Sequence, residues 1–348
     1  MRYATAYDVG ERKRPRGINE DSVAVSVFED GHREGYLGPS SERDGEAAGP
    51  GDHQPGTTRS AAVLVLADGA GGHDAGDAAS YIATTRVAEE LAPVAVRAAS
   101  ADPGAFDVDV PGGEEPDFAG AIEGAIQAAH EDVLEYAEES GTAAYTTVVA
   151  GVVADGRFHY GWVGDSRAYV CNAAHDHIAR LTEDHAVVER LHAEGEVDGV
   201  EAQVHPRGNE LTRAVGGRGD EAIDVETAAV DVFAEDTLLL TSDGLPDAQS
   251  EAASLYDDYV GSGRSDDAAE TVRKRVVTDD DIRDWVLETE SLSAAADRLV
   301  AAGNEHGGKD NLSVLLCREP AFPATPPRLP VRGRDPHPAH RRETLVEE

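Results

Sequence analysis

Residues 146–165, T-T-V-V-A-G-V-V-A-D-G-R-F-H-Y-G-W-V-G-D, decide how this chain folds. Residues 146–154 form a short apolar run, and in residues 157–164 Phe158, Tyr160 and Trp162 alternate with His159, Gly161 and Val163. Between the two lies Asp155-Gly156, a pair that accepts positive φ and so closes a tight hairpin. The stretch therefore reads as two antiparallel strands, with the carboxylate of Asp165 standing where the second one ends.

Working outward, further strands surround this hairpin. Residues 22–28 place Val23, Val25 and Val27 on one face, while 61–67 (AAVLVLA), 237–242 (TLLLTS) and 312–317 are continuous apolar runs suited to buried strands. Helices are predicted between them. Residues 74–91 are Ala-rich and amphipathic, with Pro93 as the stop. Residues 118–138 repeat Ile122, Ile126, Ala129, Val133 and Tyr136 at helical spacing, and 291–303 begin at a Ser291 or Ser293 cap and end at Gly303. Hairpins followed by helix pairs imply a sheet-rich α+β domain rather than a βαβ alternation. The expected folded domain spans residues 1–318. Insertions are expected at 29–60 (a long mobile loop), 100–116 and 250–281 (a peripheral helical excursion), followed by a Pro/Arg/His-rich unfolded tail at 319–348.

The charge balance narrows the function. Among 348 residues, 30 Lys+Arg face 68 Asp+Glu, a formal charge of −38. Such a field repels nucleic-acid phosphates and anionic lipid, so neither is an expected partner. It suits a salt-rich cytoplasm, where the Debye length falls to about 3 Å at 1 M and self-repulsion is damped. No apolar run approaches the roughly 20 residues of a membrane-spanning helix, and the start lacks a secretory h-region, so a cytoplasmic protein is expected. Cys171 and Cys317 lie in apolar runs and read as buried free thiols. Neither opens a Cys-x5-Arg loop, because His177 and Pro323 occupy the arginine positions. There is no P-loop, zinc-ligand spacing or G-x-S-x-G elbow, and a calcium loop at Asp107 fails because its twelfth position is Phe118.

In so acidic a chain, position identifies a site better than charge does. Asp68-Gly69 follows AAVLVLA, Asp243-Gly244 follows TLLLTS, and Asp165 follows the hairpin. Glu20-Asp21 precedes residues 22–28, and Asp310-Asn311 precedes 312–317. Any one of these is ordinary turn chemistry, but five strands each ending in an acid are not. Converging carboxylates raise one another's pKa unless a cation neutralises them, and an all-oxygen shell selects Mg²⁺ or Mn²⁺.

Taken in order, the motifs resemble the metal-dependent serine/threonine phosphatases called type 2C, or PPM, in their bacterial and archaeal form. The matching segments are Arg16-Gly17-Ile18-Asn19-Glu20-Asp21-Ser22, Asp68-Gly69-Ala70-Gly71-Gly72-His73 and Gly164-Asp165-Ser166-Arg167-Ala168-Tyr169. They continue through Leu181-Thr182-Glu183-Asp184-His185, Asn209-Glu210-Leu211-Thr212-Arg213, Ser242-Asp243-Gly244-Leu245 and Gly308-Lys309-Asp310-Asn311.

The resemblance implies an α-β-β-α sandwich, two packed antiparallel sheets flanked by helix pairs, with two Mn²⁺ or Mg²⁺ ions at one end. By the same resemblance Asp21 and Asp68 bridge the metals with help from the Gly69 carbonyl. Asp243 and Asp310 complete one shell, Asp165 joins Asp243 on a weaker third ion, and Glu20 acts through water. Arg16 matches the phosphate-binding arginine, and the basic residues Arg12, Lys13 and Arg14 around it point to a local anion site. Residues 186–207 take the place of a variable flap.

The implied reaction is hydrolysis of phosphoserine and phosphothreonine in proteins by an activated water, without a covalent intermediate and opposite a Ser/Thr kinase. Ala70 stands where the animal-type pattern has a catalytic histidine, which leaves water as the implied proton source; His73 reads as structural or helix-capping. A non-catalytic phosphoprotein-binding relative and a small-molecule phosphatase are the competing readings.

Overall fold

The computed structural model describes residues 1–15, 17–29, 59–70, 75–100, 116–217 and 222–332, together with the backbone of 32–38 and 43–46. In chain order the elements begin with β1 (Arg2–Asp8), β2 (Asp21–Glu29), β3 (His32–Gly38), β4 (Arg43–Glu46) and β5 (Ser60–Ala70). Helices α1 (Gly76–Ala99) and α2 (Phe118–Ser140) follow, then β6 (Tyr145–Thr146), β7 (Val148–Ala154), β8 (Arg157–Val163), β9 (Arg167–Asn172) and β10 (His177–Arg180). Next come α3 (Val187–Ala193), α4 (Gly199–Ala202), β11 (Val215–Gly216), β12 (Glu226–Asp231) and β13 (Asp236–Thr241). The order closes with α5 (Ala252–Gly261), α6 (Asp266–Arg273), α7 (Asp279–Leu287), α8 (Leu292–Glu305) and β14 (Leu312–Arg318).

Two sheets result, antiparallel throughout. One runs β10-β9-β13-β14-β1-β4. In the other, β5 pairs with β2 on one edge and with β6 and β7 on the other, β3 extends beyond β2, and β8 and β12 extend beyond β7. Strand alternation sorts the side chains into three layers. Leu64, Leu66, Phe158, Tyr160 and Trp162 meet Val170, Leu238, Leu240 and Leu315 between the sheets. Val63, Val65 and Val152 pack under α1 and α2. Tyr169, Leu239, Val314 and Leu316 pack under α7 and α8. The α-β-β-α sandwich expected from the motifs is the observed architecture.

The hairpin that opened the sequence reading forms as expected: Ala154 pairs with Arg157, and Asp155 takes a φ of 48°. Its aromatic row stacks at centroid spacings of 5.1 and 5.9 Å. The polar tips of this row reach outward, Tyr160 Oη donating to the Leu181 carbonyl (3.1 Å) and Trp162 Nε1 to that of Glu183 (2.8 Å). Ser291 caps α8 by accepting from the Ala294 N–H (3.1 Å), and the two thiols are free and buried, with burial raising each to about 12.

Several expectations are corrected. Helix α1 does not stop at Pro93 but continues to Ala99, because Val94, Ala95, Ala98 and Ala99 are buried against the sheet and offset the lost hydrogen bond. Helix α8 likewise passes Gly303. Within the stretch expected to be a loop, β3 pairs with β2 and β4 with β1, while residues 30–31, 39–42 and 47–58 lie outside the described residues, as do 101–115.

The expected tail is also held against the domain as far as Arg332. Thr325 N–H donates to Glu235 (2.7 Å), Phe322 packs on the inter-sheet core, and Arg332 makes a bidentate pair with Asp236. Residues 333–348 are not described. The 250–281 excursion folds as α5, α6 and the start of α7, with its own small cluster around Leu255, Tyr259 and Val272.

Candidate metal centre

The register of β2 and β5 sets Asp21 opposite Asp68. Directly opposed residues of an antiparallel pair sit roughly 4.5–5.5 Å apart, so the ladder itself holds these two carboxylates together. Asp68 is further fixed through its backbone. Its N–H donates to Thr147 Oγ1 (3.0 Å), and its carbonyl accepts from the Thr147 N–H (2.8 Å) and Thr146 Oγ1 (2.8 Å).

The other sheet delivers the remaining acids. Ser242, just past β13, donates from Oγ to Asp21 Oδ2 (2.9 Å) and accepts from the Ser313 N–H (3.0 Å), tying both sheets together beside Asp243. Asn311, just before β14, accepts from the Glu20 N–H (2.9 Å) and donates to the carbonyls of Val9 (3.0 Å) and Ile18 (3.1 Å). That side chain binds the loop carrying Glu20 to the segment carrying Asp310. Gly69 is required sterically: a Cβ there would overlap the Gly76 carbonyl and crowd that of Glu20, which accepts the Gly69 N–H at 3.0 Å.

The electrostatics report the same convergence. Asp68 is pushed well above the ordinary carboxylate range by burial and then by the charges of Asp21, Asp243, Asp310 and Asp165. Burial raises Asp21 to about 6, with hydrogen bonds from Ser313 and Ser242 opposing and Asp310 adding to the rise. Burial, Asp310 and Asp247 bring Asp243 to about 7. Asp165 is also held well above the usual range, by burial and then by Asp243, Asp184 and Asp247.

Asp21, Asp68, Asp165, Asp243 and Asp310 therefore lie close enough at one end of the sandwich to feel one another's charge, with Gly69 next to Asp68 and Glu20 next to Asp21. Arg16 and His73 lie outside the described residues. Within the basic stretch around Arg16, Lys13 pairs with Asp310 and Glu20, and Arg14 with Asp8 and Glu11. The sequence reading missed Asp247. It lies four residues after Asp243 in the turn that follows β13, its N–H donating to the Asp243 carbonyl (2.8 Å), and its closeness in sequence to Asp243 was the available signal. Beside it opens a cleft of about 580 Å³, running from Asp165, Asp243 and Asp247 past Lys309 to His192 and Gln203 in residues 186–207.

A hard divalent cation fits these residues. The donors are all oxygen, and Asp21 Oδ1 and Asp243 Oδ1 are buried without a hydrogen-bond partner. Among the described residues no three acids, histidines or cysteines close into a finished cage. What is preorganised is the backbone beneath the acids.

Fold and site together define a two-sheet α+β sandwich with an acid-lined centre at the open end of both sheets. The family model for protein phosphatase 2C matches residues 52–286, and this chain belongs to that family. It is 30% identical over 275 residues to the serine/threonine phosphatase stp of Listeria innocua, covering 78% of this chain and 87% of that protein. Protein phosphatase PhpP of Streptococcus pneumoniae is 27% identical over 254 residues, 73% of this chain and 84% of PhpP. Among solved structures, the catalytic domain of the serine/threonine protein phosphatase PstP in complex with two manganese ions superposes with a TM-score of 0.58 and 25% identity, covering 90% of this chain and 96% of that one.

Proposed function

We propose that this chain hydrolyses phosphoserine and phosphothreonine in proteins, using two Mn²⁺ or Mg²⁺ ions. The observation that carries the reading is the register-locked Asp21–Asp68 pair with Asp243 beside it, Asp21 Oδ1 and Asp243 Oδ1 both being buried without donors. Asp21, Asp68, Asp243, Asp310 and the Gly69 carbonyl would hold the two ions, Asp165 with Asp243 a weaker third, and Glu20 would act through water. Bound divalent ions supply Lewis acidity and lower the pKa of water to about 7, giving a nucleophile at neutral pH.

The chain's own residues orient this chemistry. Ser242 occupies Asp21 Oδ2 and leaves the buried Oδ1 without a donor, while Thr146 and Thr147 fix the Asp68 backbone. Arg16 would meet the substrate phosphate with its planar fork. The flap and the adjoining cleft would receive the protein around the phosphorylated side chain.

The net charge of −38 supports work in a cytoplasm of high ionic strength, where an opposing Ser/Thr kinase would supply the substrates, and among the described residues no helix is long and apolar enough to cross a membrane. The test is hydrolysis of a phosphothreonine peptide in molar KCl with and without Mn²⁺. Turnover that requires the ion and vanishes in Asp243→Asn is expected, whereas equal turnover in chelator would overturn the reading.

A further inference from the structure

His185 sits in the segment that the aromatic row of β8 pins down, and it is 6% exposed. It grips one residue twice. The His185 N–H donates to the Gly164 carbonyl (2.9 Å), and the ring Nδ1 lies 3.1 Å from the Gly164 N–H. Gly164 is the residue before Asp165. It holds a φ of +108°, and a Cβ on it would strike the side chain of Thr147. Thr147 Oγ1 in turn meets Ser166 Oγ at 2.7 Å. The Gly164-Asp165-Ser166 turn is thus clamped by His185 on one side and by the threonine that fixes Asp68 on the other.

The hydrogen-bond roles settle the tautomer. A backbone N–H can only donate, so Nδ1 must present its lone pair to Gly164 and the proton must reside on Nε2. Nε2–H then points to Glu226 Oε1 (3.1 Å), an oxygen that also accepts from Arg213 Nη1 (3.1 Å); that Nη1 stands 3.2 Å from Nε2, but as a donor facing an N–H it makes no bond there. The His185 carbonyl accepts the Thr212 N–H (2.7 Å), and the ring stacks on Trp162 with centroids 6.1 Å apart. The imidazole therefore links β12, through Glu226, to the backbone that carries Asp165.

We propose that His185 is a positioning residue for Asp165, acting through the Gly164 backbone to hold that carboxylate where a weaker cation shared with Asp243 would bind. The inference rests on the metal-centred reading above and assigns His185 no contact with substrate.

Two substitutions separate the ring's two ends. In His185→Asn the side-chain oxygen can stand in for Nδ1 and keep the Gly164 bond. In His185→Gln the amide reaches towards Glu226 instead and leaves the buried Gly164 N–H without its acceptor. Mn²⁺ binding is measured by calorimetry in molar KCl for these two, for wild type and for Asp165→Asn, with thermal unfolding alongside. Wild type is expected to show a weaker step after its tight ones, and Asp165→Asn to lose it. His185→Gln should weaken that step roughly 10- to 100-fold while leaving the tight steps in place, and His185→Asn should stay near wild type.

A wild-type weaker step in His185→Gln, or equal loss in both variants, would overturn the assignment. So would unfolding of both, which would make His185 a scaffold residue. Failure of wild type itself to bind Mn²⁺ would instead defeat the metal-centred reading, which separates the two failures.

Discussion

Replacing Arg332 with methionine tests whether the segment after β14 belongs to the folded domain. The Arg332 guanidinium, 2% exposed, meets the fully buried Asp236 through Nη1–Oδ1 (2.6 Å) and Nη2–Oδ2 (2.7 Å), and it lies 4.8 Å over the ring of Phe233. Removing one partner of a buried ion pair costs about 3–5 kcal/mol, since the other charge is left uncompensated. Here Asp236 keeps donors from Asn172 Nδ2 (2.6 Å) and the Phe233 N–H (2.7 Å), which places the expected loss near the lower end, about 3 kcal/mol. At roughly 2 °C per kcal/mol for a chain of this size, the melting temperature should fall by about 6 °C.

The assay is urea unfolding in molar KCl of R332M, D236N and the double variant. The double variant should be less destabilised than the two single losses summed, because neither charge is then stranded. A loss below about 1 kcal/mol in R332M, or strict additivity, would refute the buried pair and return residues 319–332 to an unattached tail.

Two further outcomes follow from the same physics. Gly69→Ala forces a Cβ into the Gly76 carbonyl, so it should cost about 1–3 kcal/mol in the same unfolding assay and weaken Mn²⁺ binding in calorimetry. Burial alone would raise Asp184, but Arg167 and Arg180 outweigh it and hold its pKa below the ordinary value. A depressed carboxylate contributes stability that is present above its unfolded pKa of about 3.9 and is lost as pH falls through the folded value. Asp184→Asn should therefore lower stability at pH 7 and flatten the acid limb of a stability-against-pH curve.

The sequence made the strand ends legible because two independent signals coincide there: an apolar run that must be buried, and an acid with glycine or asparagine at its boundary. Asp68-Gly69 and Asp243-Gly244 carry both, and the two sheets bring Asp68 and Asp243 near each other. What escaped notice was set by partners distant in the chain. Pro93 is a helix breaker by local preference, yet four buried residues beyond it keep α1 going. Arg332 belongs to a polar, proline-rich run whose composition reads as unfolded, and only the buried Asp236 makes it structural. Asp247 was hidden among 68 acids, and His185 looks like one more residue of a motif until Gly164 is seen on both sides of it. Lys13, read as part of an anion site, is taken up by Glu20 and Asp310 because acids outnumber bases more than two to one.

The most direct measurement of whether these acids share cations is Mn²⁺ stoichiometry by calorimetry, in molar KCl so that the charged surface contributes little non-specific binding. Wild type should bind at least two ions, and Asp68→Asn, which alters the acid opposite Asp21, should lose the tight steps while remaining folded. A wild-type protein that binds no Mn²⁺ above background, or an Asp68→Asn variant with an unchanged isotherm, would contradict a metal centre built on the Asp21–Asp68 pair.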